Sequence, residues 1–377
     1  MANRLFSAMR RTTAAMRPYS PLGATRVIQA AMARSGVSAM NVWLAQNHAS
    51  PARSPAPGPE TDPVNRQRPA SPDLTADGTF TTRSFRCKEG LRDYKLFIPR
   101  EHAAAPRGLV VMLHGCTQNP DDFAAGTRMN AVAARNGLIV AYPAQTRAHN
   151  ASSCWNWFQT GDQHRDKGEP AVLAGIAREL MAESGLMREQ VFVAGLSAGG
   201  AMAVIMAETY PDVFAAVGVH SGLPYQSANN VMSALTAMRG RAVDQGHGGA
   251  HNENDRPAMR TIVFHGSADK TVHPSNAEGI ANKASPSTSD GTTVVENGNT
   301  NNRSFTRTVI SDADGQVLVE NWTIAGAGHA WSGGSRTGTF ADPLGPDASA
   351  EMVRFFLVEQ MKADCRTQLS PNAPRSG

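Results

Sequence analysis

Five apolar runs constrain this chain more than any other feature: GLVVMLHG (108–115), GLIVAYP (137–143), QVFVAG (190–195), FAAVGVHSG (214–222) and MRTIVFHG (259–266). Each is short for a buried helix and too continuously apolar for a strand with one wet face, so each reads as a strand covered on both sides. Helical stretches separate several of them, at about 121–135, at about 170–184, and from the serine turn after Leu196 through Tyr210. Buried strands alternating with helices make a mostly parallel sheet with helices on both faces, an α/β class of fold. In such sheets ligands meet the chain at the carboxyl ends of strands.

The flanks of this core are of other kinds. TFTTRSF and LRDYKLFIP alternate polar and apolar residues and read as an antiparallel opening pair; residues 304–310 and 317–325 supply further strands, and a helix is expected over about 347–362. The stretch from Pro224 to Pro257, rich in Gly, Asn and His, is too long for an ordinary connection and reads either as a flap beside the site or as a flexible insertion. Seven prolines lie between Pro51 and Pro72, where apolar residues are too few to build a core. The expected organisation is therefore a basic, partly helical leader (1–45), a Pro-rich linker (46–77), a catalytic domain (78–365) and a flexible tail (366–377). Within the leader, Ser20 and Pro21 open a helix that ends at Gly36.

The charge distribution narrows the partners. Arg4, Arg10, Arg11, Arg17, Arg26, Arg34 and Arg53 all precede the first acidic residue, Glu60, leaving 29 basic against 32 acidic residues from 60 onward. The basic character belongs to the leader, which argues against nucleic-acid binding by the main domain. No stretch approaches the roughly 18 to 20 apolar residues of a membrane span, so no transmembrane segment is expected. Arg10 and Arg11 are followed by no apolar run of signal-peptide length, which favours a cytoplasmic location. Cys87, Cys116, Cys154 and Cys365 lack metal-ligand spacing, so no metal is expected; in an oxidising compartment they would allow two disulfides.

Chemistry concentrates in VFVAGLSAGGAMA, residues 191–203. GLSAG matches G-x-S-x-G with a strand before it and a helix after it, the context that lifts a serine hydroxyl above the sheet on a tight turn. Ser197 is thus a candidate nucleophile, against the simpler reading of a helix N-cap. A serine needs a base, and the base needs a carboxylate to hold its tautomer. Asp269, in HGSADKTV just past a buried strand, and His329, in the glycine-rich loop GHAWSGG after the last strand, follow Ser197 in the required order. Asp312 and Asp314 sit in the hairpin turn SDADGQ, while His265 and His273 come too early in the chain to be the base. The amide of Ala198 and that of Cys116, in LHGCTQN, are the candidate oxyanion donors. A cysteine nucleophile at position 116 is the weaker alternative, because no His-paired motif surrounds it.

With LHGCTQNPDDFAAGTRMN, SSCWNWF, GLSAGGAMA, HSGLPY, HGSADKTV and GHAWSGG in place over roughly 78–362, the chain resembles the polyhydroxybutyrate depolymerase family of esterases, related to feruloyl and acetylxylan esterases. The resemblance implies an α/β-hydrolase fold, serine-dependent hydrolysis of polyhydroxyalkanoate or short acyl esters, no cofactor, and an extracellular location as the alternative to the cytoplasm. It puts the nucleophile on Ser197, the acid on Asp269, the base on His329 and the oxyanion amides on Cys116 and Ala198. It also suggests that Cys116 and Cys154 pair. Trp155, Trp331 and His220 are candidates to line the substrate cleft, with a core role as the competing reading for the tryptophans of SSCWNWF and a structural one for His220. A rival from another class is a protein that binds polyester granules through its leader.

Overall fold

The computed structural model describes residues 74–75, 77–241, 259–285 and 291–369, with side chains to 358. The leader, nearly all of the linker and residues 242–257 of the Gly-, Asn- and His-rich insertion lie outside the described residues.

The five apolar runs form the middle of a ten-stranded sheet. In chain order the strands are β1 (Gly78–Cys87), β2 (Gly90–Pro99), β3 (Gly108–Leu113), β4 (Leu138–Pro143), β5 (Val191–Leu196), β6 (Ala216–His220), β7 (Arg260–Gly266), β8 (Thr292–Thr300), β9 (Arg303–Ser311) and β10 (Val317–Ile324). Their spatial order is β1-β2-β4-β3-β5-β6-β7-β10-β9-β8. From β4 to β10 neighbouring strands are parallel, while β1, β2, β9 and β8 extend the two sides antiparallel.

Alternate residues of each central strand point into two separate apolar layers. Leu109, Val111, Val191 and Val193 join α3 (Gly168–Ser184), α4 (Ala198–Thr209), α5 (Val231–Met238) and α6 (Ser275–Ala284) on one face. Val110, Met112, Phe192, Ile262 and Phe264 join α1 (Pro120–Thr127), α2 (Met129–Asn136) and α7 (Ala348–Leu369) on the other, with Phe192 stacked on Phe356 at 4.7 Å. Helices on both faces leave no wet side, which is why β3, β4, β5 and β7 are buried along their whole lengths.

Several features differ from the sequence expectation, among them helix α5 inside the insertion after Pro224 and helix α6 after β7. The helix read over 121–135 is two helices, broken at Arg128, whose φ of 54° is held by hydrogen bonds from its guanidinium to the Gly333 carbonyl and to Asp347. β8 is an additional strand, exposed along almost its whole length, Val294 and Val295 included. The backbone of α7 runs on to Leu369, into the segment read as a tail. Among the described residues no helix is long and apolar enough to cross a membrane.

Candidate active site

The carboxyl ends of β3, β5, β6, β7 and β10 gather Cys116, Ser197, His220, Asp269 and His329. Ser197 sits between β5 and α4 with φ 58° and ψ −118°, a conformation that costs a non-glycine residue on the order of 1–3 kcal/mol and persists only where the surroundings enforce it. The enforcement is visible on both sides. A Cβ at Gly195 would meet the Gly199 carbonyl oxygen at 2.3 Å, and one at Gly199 would meet the Leu113 carbonyl oxygen at 2.0 Å. The Ser197 amide donates to the His220 carbonyl at 2.9 Å, and the hydroxyl makes no capping hydrogen bond to α4. The N-cap reading therefore fails: the turn is strained and the side chain is left for other work.

Sixty residues apart in sequence, Asp269 and His329 meet through a 2.7 Å hydrogen bond from Nδ1 of the imidazole to Oδ2 of the carboxylate. The other carboxylate oxygen accepts the amides of Thr271 and Val272 at 2.8 and 2.9 Å. Burial works against the charged carboxylate, but hydrogen bonds from His265 and His329 outweigh it and hold this carboxyl well below the usual range. Of the two histidines, His329 is the closer partner. His265 Nε2 lies 3.4 Å from Oδ2 because the same nitrogen donates to the Val272 carbonyl at 2.8 Å. With Nδ1–H bound to Asp269, the His329 Nε2 carries the lone pair a base requires.

The oxyanion side is built on the loop after β3. Gly115 donates its amide to Gln118 Oε1, Thr117 to the Ser152 carbonyl and Gln118 to the Gly115 carbonyl. Among the described residues the amides of Cys116 and Ala198 have no acceptor, and both residues are buried. A pair of unengaged N–H groups, one of them at the first turn of α4, is what a developing oxyanion needs. Cys116 is joined to Cys154 by a disulfide, with the two Cα atoms 4.2 Å apart.

Beneath this loop lies a buried polar cluster with no sequence signature. His114 Nδ1 donates to the Gly115 carbonyl and Nε2 accepts the Gln145 amide; burial pushes this imidazole down to about 4, so it stays neutral. The Gln145 amide group donates to the Cys154 carbonyl and to Glu169, and Arg92 donates to Gln145 Oε1. Glu169 also takes the main-chain and side-chain N–H groups of Asn156. Burial, then the neighbouring Asp162, raise the Glu169 carboxyl to about 7 against the lowering pull of Arg92. Gln118 and Asp122 were equally missed: Gln118 Nε2 and Asp122 together hold Thr339, tying the oxyanion loop to the segment whose Phe340 ring lies edge-on to His329.

The expected cleft lining is corrected. Trp155 is fully buried and donates to the His114 carbonyl; Trp331, 1% exposed, donates to Ser349 Oγ; His220, 1% exposed, is enclosed between Trp331 and Phe264. All three are parts of the scaffold, because their polar atoms already have protein partners and their rings have no open face.

The family model "Esterase PHB depolymerase" matches residues 92–300, more than half of the chain. The chain is 34% identical over 233 residues to "Poly(3-hydroxyalkanoate) depolymerase C" of Paucimonas lemoignei, covering 59% of this chain and 54% of that protein. It is 30% identical over 200 residues to "Probable acetylxylan esterase A" of Aspergillus fumigatus, covering 48% and 51%. It thus spans about half the length of these curated relatives. Among solved structures, "Acetyl xylan esterase from Aspergillus awamori" superimposes with a TM-score of 0.51 at 20% identity, covering 66% of this chain and 94% of that one, which supports the α/β-hydrolase fold. The chain belongs to the Esterase PHB depolymerase family.

Proposed function

We propose that this chain hydrolyses carboxylic esters through an acyl-enzyme on Ser197. The observation that carries the reading is the 2.7 Å Asp269–His329 hydrogen bond, made at the same sheet edge as a strained serine turn. Ser197 Oγ attacks the ester carbonyl carbon while His329 Nε2 takes its proton. The tetrahedral oxyanion accepts the N–H groups of Cys116 and Ala198. As the intermediate collapses, the imidazolium returns the proton to the departing alkoxide and leaves the acyl group on Ser197. Water, deprotonated by the same imidazole, then releases the acid and restores the serine. Asp269 stays ionised throughout, and no metal or organic cofactor enters the scheme.

Ser197→Ala should lower hydrolysis of p-nitrophenyl butyrate by about 10⁴-fold or more while the thermal unfolding midpoint is kept; turnover within tenfold of wild type would end the proposal. For the substrate we favour polyhydroxyalkanoate or short acyl esters, in line with the depolymerase relative. The acetylxylan esterase relatives support a second reading, esters of polysaccharide acyl groups. Comparing kcat/KM on amorphous polyhydroxybutyrate, acetylated xylan and a feruloyl ester separates the two. Granule attachment through the leader falls on residues outside those described and is tested by deleting residues 1–70.

A further inference from the structure

His220 is bonded both to the turn that carries Ser197 and to the loop that carries His329. It ends β6, and its main-chain carbonyl receives the Ser197 amide at 2.9 Å. Its ring reaches in another direction. Nε2 accepts the amide of Ser332 at 3.0 Å, three residues beyond His329. Because Nε2 faces an N–H group it must carry the lone pair, which places the ring proton on Nδ1, 3.1 Å from Ser221 Oγ. The imidazole is stacked on Trp331 at 5.3 Å on one side and on Phe264 at 6.0 Å on the other. We infer that His220 is the positioning residue that sets the spacing between Ser197 and His329, its carbonyl seating the nucleophile's turn and its neutral ring seating the far end of the base's loop.

Three properties make this more than packing. An aromatic hydrocarbon of the same size would fill the stack but would leave the Ser332 amide buried without an acceptor. On the near side of the His329 loop Gly326 donates to Ser267 Oγ and Ala268 to the Ala327 carbonyl, while the other ties at the far end run to segments other than β6: Trp331 donates its amide to the Phe340 carbonyl, Ser332 Oγ donates to the Pro346 carbonyl, the Gly333 amide to the Leu344 carbonyl, and the Gly333 carbonyl accepts from Arg128. The His220 bond connects the far end to the strand beside Ser197. The ring also keeps its lone pair: burial first, then the charges of His265 and His329, push this imidazole down to about 3 despite the opposing pull of Asp269.

The inference rests on the esterase reading, and its test separates the two. His220→Phe keeps an aromatic ring and removes the acceptor; His220→Gln removes the ring and offers Oε1 near the Nε2 position. If His220 sets the spacing, the Phe variant, folded by circular dichroism, loses about 100-fold in kcat on p-nitrophenyl butyrate with KM within about threefold, since a misplacement near 1 Å costs that much. Labelling of Ser197 by a fluorophosphonate slows in parallel, and Gln recovers at least about tenfold of the loss. A folded Phe variant with kcat within threefold of wild type overturns the proposal, as does a folded Gln variant no better than Phe. Should the Phe protein not fold, the Gln variant decides alone: folded and within about tenfold of wild type supports the role, folded and inactive refutes it. Failure of the esterase reading would show instead as wild-type turnover that survives Ser197→Ala, whatever the His220 variants do.

Discussion

The oxyanion loop is braced from beneath by a buried polar cluster and a disulfide, whereas the loop that carries His329 is tied mainly near its two ends. On the first side a disulfide, the Gln118–Asp122–Thr339 links and the Arg92–Gln145–Glu169 cluster converge on a few residues. On the second side Asp269 fixes the imidazole, Ser267 and Ala268 hold the near end, and His220, Pro346, Leu344 and Arg128 hold the far end at Ser332 and Gly333. The His329 side chain retains 11% exposure, against 0% for Asp269. The difference matches the tasks. Dipoles aimed at a developing charge act best when they have no reorganisation left to do, while an imidazole that collects a proton from one oxygen and gives it to another has to serve more than one partner.

The contrast can be tested by loosening each side in turn. The largest effect is expected on the base side: Asp269→Asn keeps an acceptor for the Thr271 and Val272 amides but presents N–H to His329, favouring the wrong tautomer. It should cost about 10⁴-fold in kcat with little change in melting temperature; a loss below tenfold would mean that Asp269 does not orient the base. On the oxyanion side the first cost is stability. Glu169→Ala strands Arg92 and the N–H groups of Asn156 and Gln145, and should destabilise by about 3–5 kcal/mol in urea unfolding. A pH series sharpens this. With the Glu169 carboxyl raised from 4.5 to about 7, the folded chain holds a proton that the unfolded chain has released. This group's contribution is thus present below pH 4.5 and is lost as pH rises towards 7, and Glu169→Gln should flatten stability across that window. A slope unchanged by the substitution would place the proton elsewhere. The smallest effect is that of the disulfide, which closes a loop with a sequence separation of 38. Cys154→Ser should cost about 3–4 kcal/mol by chain entropy, with kcat reduced far less than by Asp269→Asn. A kcat loss as large as that of Asp269→Asn would show that the oxyanion loop has no other support.

Much of this site could be read in the chain because its signals are local. Ser197, Asp269 and His329 each follow an apolar strand, and the turn residues around them have short-range reasons to be where they are. The supporting groups carry no such mark. Thr339 lies 221 residues from Gln118, and nothing near Glu169 in the sequence announces that helix α3 will bury it under the oxyanion loop. β8 also carries no such mark: both faces of TTVVENGNT are exposed, so no alternation of apolar and polar residues distinguishes it. Trp155, Trp331 and His220 look the same in sequence whether they line a cleft or fill a core.

By itself the sequence determined the class of fold, with its mostly parallel sheet, and offered three candidate groups for ester chemistry, since hydrophobic periodicity and turn chemistry act over a few residues. Only the tertiary structure decided that Arg128 breaks a helix, that the Cys116 and Ala198 amides are left unengaged, and that His220 faces Ser332 rather than a substrate. Those outcomes depend on which polar groups remain unsatisfied after distant segments pack, and that is settled by the whole fold at once.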